Sequence, residues 1–72
     1  MRESEFWDLV HSEFGRIQGP TLVREHVLFA LGNRTAERAL ADGVAVRDVW
    51  FAMCDDLDVP STRRWGPEKP AR

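Results

Sequence analysis

TAERALADGVAVRDVWFAMCDDL, Thr35 to Leu57, reads as two short helices joined by a turn at Gly43. Thr35 offers a hydroxyl to a free amide at the start of the first helix, and Glu37 sits near the positive end of that helix dipole. Gly43 follows the helix and can take the positive φ that a reversal needs. The second helix opens at about Val46. Its Val46, Val49, Trp50, Met53 and Leu57 fall on one stripe, with Arg47, Asp48, Asp55 and Asp56 off it. Trp50 is therefore expected to be the largest core residue. Ala39, Gly43 and Val49 also match the small residue, turn glycine and buried anchor of a DNA-binding helix-turn-helix. Any tight helical corner needs the same three, so the spacing specifies a shape before it specifies an activity.

Upstream, LVREHVLFAL, Leu22 to Leu31, is apolar on nearly all sides except Arg24, Glu25 and His26. This pattern is expected of the central helix of a small bundle, one that buries Val23, Val27, Ala30 and Leu31. Gly19-Pro20 would turn into that helix and Gly32-Asn33 would close it. At the amino-terminal end, Ser4 can cap a helix carrying Phe6, Leu9, Val10 and Phe14, which Gly15 ends. Val59-Pro60 stops the last helix. The expectation is an all-α, single-domain bundle of four short helices near 5–14, 20–31, 35–42 and 46–57, with a helix-turn-helix-like corner and no strand in the body. Its core would be Phe6, Val10, Val27, Leu40, Val49, Trp50 and Met53. Residues 1–60 form the domain and 61–72 a flexible basic tail, rich in Pro, Gly and charge, which would contribute to binding more than to stability.

Composition narrows the function. A chain of 72 residues is at most one domain, and a domain of this size buries only roughly 60% of its unfolded surface. Its 43% hydrophobic content, with three Trp and four Phe, suffices for one core. The single Cys54 cannot close an internal disulfide, and no apolar run approaches membrane-spanning length, so a cytoplasmic protein with no membrane association is expected. Residues 1–60 carry a net −5 and residues 61–72 a net +3. A duplex-binding domain normally presents a cationic face, which this acidic body lacks.

No paired carboxylates, nucleophile with base, metal-ligand spacing or cofactor motif stands out. An enzyme, a cofactor and a metal site are therefore not expected. Trp7 and His11 read as boundary packing, and His26 beside Glu25 lacks an accompanying nucleophile. Asp55, Asp56 and Asp58 lack the glycine-centred loop of a cation site and read as a solvated acidic surface. What remains is a monomeric protein-interaction module. Its candidate partner-binding residues are Trp7, Arg47, Phe51, Arg63, Arg64 and Trp65, because aromatic and arginine side chains commonly anchor interfaces. Trp65 would either fold back on the body or anchor a partner. The alternative is nucleic-acid binding through the helical corner, with Arg47 and Phe51 facing outward and Arg63-Arg64 on phosphates.

EFWDLV, EHVLFALGNRTAERALADG, DVW and CDDLDVP together resemble the actinobacterial domain of unknown function 3046 family, over roughly Arg2 to Pro60. The resemblance implies a folded cytoplasmic unit. Members' genes often stand near those of a recombinase and its regulator, which implies a link with recombination or DNA repair; the family brings no known catalytic residue. This chain departs from the usual pattern at Ala45-Val46 and at Phe51, where a basic residue is common.

Overall fold

Four helices and one short antiparallel ribbon follow one another along residues 1–64, the part of the chain that the computed structural model describes. Helix α1 spans Glu3–Phe14. It begins before the anticipated Ser4 cap: the Arg2 backbone N–H donates to the Glu5 carboxylate at 2.9 Å, so an acidic side chain in the first turn closes the start. Gly15 ends it with φ 93°.

Helix α2, Gln18–Glu25, differs from expectation at both ends. Gly19 lies inside it and is buried; a Cβ there would meet Val10 Cγ1 at 2.7 Å and the Val10 carbonyl oxygen at 3.0 Å. The glycine is thus a point of close helix approach, and Pro20 sits in the first turn, where no amide partner is lost. Downstream, His26 leaves helical geometry with φ −83° and ψ 119°. Strand β1, Val27–Leu28, then pairs antiparallel with β2, Arg34–Thr35, around a single 3-10 turn at Phe29–Leu31. Consecutive left-handed residues, Gly32 at φ 71° and Asn33 at φ 62°, reverse the chain. Arg34 Nε donates to the Leu31 carbonyl at 2.7 Å and ties the turn closed.

The expected 20–31 helix and the strand-free body are therefore corrected, and burial shifts with them. Leu28 is buried, whereas Val27 is 51% exposed and Ala30 also faces outward. Leu31 and Leu40 pack against the core without being enclosed by it.

Thr35 caps α3, Ala36–Ala41, by accepting the Arg38 N–H at 3.1 Å. Gly43 takes φ 90°, and α4 runs Val46–Asp56. Ala39 and Val49 are buried where these two helices meet, which gives the tight corner expected there. Helix α4 is the central element, not α2: Val49, Trp50, Ala52, Met53 and Cys54 are all buried. Phe6 and Phe14 of α1 meet Trp50 edge-on, with centroids 6.2 and 6.1 Å away. Edge-to-face contact sets the positive ring edge against the negative ring face. Trp50 is fully enclosed, and its Nε1–H donates to the Arg64 carbonyl at 2.8 Å, beyond Pro60. A second 3-10 turn, Ser61–Arg63, brings that carbonyl back over the core.

Candidate interaction surface

Helical spacing assembles the first surface. Arg47 and Phe51 are four residues apart on α4, hence on one face, and the Arg47 guanidinium lies 5.9 Å from the Phe51 ring centroid. Arg47 also lines a groove of about 490 Å³ with Met1, Glu5, Asp8 and Leu9. Glu5, Asp8 and Leu9 share one side of α1 by the same spacing rule, so the groove follows the seam between α1 and α4. It offers mixed chemistry: two carboxylates, one guanidinium and the apolar Met1 and Leu9.

The other candidates are placed elsewhere. Trp7, half-buried, packs edge-on against Phe6 at 5.5 Å and lies 5.9 Å from the His11 ring. It faces a different hollow, between α1, α2 and α3. Arg63 donates from Nη2 to Glu13 at 3.0 Å. Arg64 pairs with Asp55 at 2.9 Å and donates from Nε to the Val59 carbonyl at 3.1 Å. Both arginines thus face carboxylates or carbonyls of their own body. Trp65 lies outside the described residues.

The acidic end of α4 has internal partners that spacing alone did not reveal. Asp55 meets Arg64, and Asp56 meets Nε2 of His26 from the end of α2. The Arg64 guanidinium beside the negative end of the helix offsets both the Asp55 carboxylate and the dipole. Asp58, at φ 59°, makes the left-handed turn that lets the Val59 N–H reach the Cys54 carbonyl at 2.9 Å. In the α3–α4 turn, hydrogen bonds from Arg34 and Arg38 hold the Asp42 carboxyl below its ordinary pKa of 3.8, against a smaller opposing effect of desolvation. Burial pushes the Cys54 thiol up to about 12, with Arg64 pulling the other way. This thiol is unreactive at neutral pH. Among the described residues, no three His, Cys, Asp or Glu side chains are grouped to hold a metal ion. No helix there is long and apolar enough to cross a membrane.

Two exposed apolar side chains escaped the sequence reading: Phe29 at 79% and Ile17 at 88%. Phe29 was hidden by the helix expected across it. Ile17 stands at the N-cap of α2, outside any periodic stripe.

Fold and surface together define a small helical module whose chemistry-bearing groups line shallow grooves. The chain belongs to the family described as "Protein of unknown function (DUF3046)", whose model matches residues 1–62. It is also 50% identical over 36 residues to the "Putative envelope-preserving system protein Rv2742c" of Mycobacterium tuberculosis (strain ATCC 25618 / H37Rv). That stretch is 50% of this chain and 13% of the relative, so the chain spans only a small part of that protein. No solved structure matches the chain.

Proposed function

We propose that the chain is a protein-interaction module and not an enzyme, and that it engages its partner through the outer face of α4 and the groove beside it. The stacking of Arg47 on Phe51 at the groove lined by Met1, Glu5, Asp8 and Leu9 carries this reading. Arginine and aromatic side chains are enriched where interfaces gain most of their energy. A guanidinium already laid against a ring also loses less freedom on docking than a free one. The groove is open and chemically mixed, which suits a partner's side chains better than enclosed chemistry.

Recurrence of a similar 36-residue stretch within a longer mycobacterial protein supports a unit that works alongside other protein segments. An envelope-preserving role, named for that relative, enters here only as a candidate process for this chain. The module acts as a cytoplasmic monomer awaiting its partner.

Affinity purification of the full chain, wild type against Arg47→Glu, tests the proposal. The expected result is a reproducible protein partner that the variant loses at an unchanged melting temperature. A partner indifferent to Arg47→Glu, or none, overturns it. Nucleic-acid binding, with its link to recombination or DNA repair, is the second reading. It gains less from this surface, because α4 exposes Arg47 against Asp48, Asp55 and Asp56 while Arg63 and Arg64 face carboxylates of the body. A gel shift at low salt would reverse that order.

A further inference from the structure

The hollow that Trp7 faces has a different character from the α1–α4 groove. Glu3 and Trp7 of α1, Val23 of α2, and Glu37, Leu40 and Ala41 of α3 enclose about 300 Å³. Val23 is buried, and Trp7 and Leu40 are half-buried, so the floor is apolar and includes an indole. Glu3 and Glu37 are both exposed and sit in the first turns of their helices. No cation lines the hollow, and among the described residues neither carboxylate has an ion-pair partner. Glu13, Asp42 and Asp55, by contrast, meet the body's own arginines. Glu5, Asp8, Glu25, Asp48 and Asp58 share with Glu3 and Glu37 the lack of an ion pair among the described residues. What sets Glu3 and Glu37 apart is that they flank one apolar hollow that no cation lines.

We propose that this cleft receives one basic side chain, arginine or lysine, from a protein partner. The aliphatic stem lies along Leu40 and Trp7, and the charged head is held by Glu3 and Glu37. Charge complementarity selects this occupant. An apolar group would strip water from two carboxylates without replacing it, and an anion would be repelled. Two carboxylates fall short of the oxygen donors a hard cation requires, whereas an indole face and an aliphatic wall favour a long cationic side chain. The volume is at the bottom of the roughly 300–1,000 Å³ range of ligand sites, which suits one side chain. This assignment rests on the interaction-module reading and adds the partner's chemistry at a second surface.

The test uses the full chain, isotopically labelled for NMR, titrated with capped peptides Ac-Gly-Ala-Xaa-Ala-Gly-NH₂. The central residue is Arg, Lys, norleucine or Glu. The Arg and Lys peptides are expected to shift the Trp7 indole resonance and the amides of Glu3, Glu37 and Leu40, and to do so less as salt is raised. The norleucine and Glu peptides should leave them unmoved. Glu3→Gln with Glu37→Gln should weaken the cationic peptides roughly tenfold.

Both carboxylates also favour their helix starts, so each variant's melting curve is recorded alongside. If the double variant unfolds, Trp7→Leu and the salt dependence supply the same discrimination. Equal shifts from norleucine, or cationic peptides that move other resonances only, would overturn the proposal. A partner lost with Arg47→Glu but indifferent to the Glu3/Glu37 pair would sink the cleft assignment and leave the interaction module standing. If no partner is captured and no peptide shifts the cleft, both fall.

Discussion

Trp50 shows how much one side chain does in a chain of this size. It is fully enclosed, meets Phe6 and Phe14 edge-on, and satisfies its indole N–H on a carbonyl fourteen residues away. Trp50→Ala should cost about 3–5 kcal/mol, a large share of a small domain's stability; a melting curve little changed from wild type would contradict the enclosure. Gly19 makes the opposite kind of demand. Alanine normally favours a helix interior by up to about 1 kcal/mol over glycine. Here its methyl would press on the Val10 backbone as well as the side chain, and the carbonyl cannot rotate away. Gly19→Ala is expected to destabilise by about 1–3 kcal/mol, and a raised melting temperature would show that α1 and α2 are not so close. Cys54 supplies a pH signature. Its folded pKa lies above the ordinary 9.0, so the folded state holds a proton that the unfolded state releases. Stability is therefore fully present below about pH 9 and falls as pH rises toward 12. Comparing alkaline denaturation of wild type and Cys54→Ala checks the sign: the variant should lose less between those limits.

The segment between α2 and α3 shows where sequence stopped being informative. Caps and turns at Gly15, Thr35 and Gly43 act through neighbouring backbone, and all were legible. The run from Val27 to Leu31 was not, because a short apolar stretch suits a buried helix and a buried strand alike. One tertiary and one local fact break the tie: His26 leaves the helix to meet Asp56, and Gly32-Asn33 takes two left-handed residues in succession, which turns the chain back as a ribbon. Strand alternation then faces Leu28 inward and Val27 outward. The two substitutions should separate accordingly. Leu28→Ala should cost about 2–5 kcal/mol, and Val27→Ala less than about 0.5 kcal/mol. Urea unfolding of the pair checks this, and equal losses would favour a buried helical segment instead. The candidate surface divides in the same way. Arg47 and Phe51 were legible as neighbours because they share one helix face. Their companions Glu5, Asp8 and Leu9 depend on how α1 lies against α4, which no local pattern encodes. Phe29 went unnoticed for the same reason as the ribbon that displays it.

Across the whole molecule, charge is arranged so that the chain's own cations answer its acidic end. Arg63 reaches Glu13 on α1, Arg64 reaches Asp55 on α4, and the Arg64 carbonyl accepts the hydrogen bond from the Trp50 indole N–H. Each exposed pair contributes only roughly 0–1 kcal/mol. A buried donor left without its acceptor costs about 1–3 kcal/mol. Residues 61–64 thus add stability where a tail serving mainly binding was expected, and ending the chain at Pro60 should lower stability mainly through Trp50, even at high salt, where the ion pairs contribute little. Thermal melts of the truncated chain at low and high salt check this. A deficit that vanishes with salt would assign the effect to the arginines.

The bond from Trp50 has a further consequence, because its acceptor belongs to the main chain. A carbonyl is present whatever side chain occupies position 64, so replacement there spares the bond, although it removes the Asp55 pairing and the bond from Nε to the Val59 carbonyl. The number of residues between the tryptophan and that carbonyl is what geometry fixes. Natural or engineered variation should then tolerate new letters between Val59 and Arg64 far better than an inserted or deleted one.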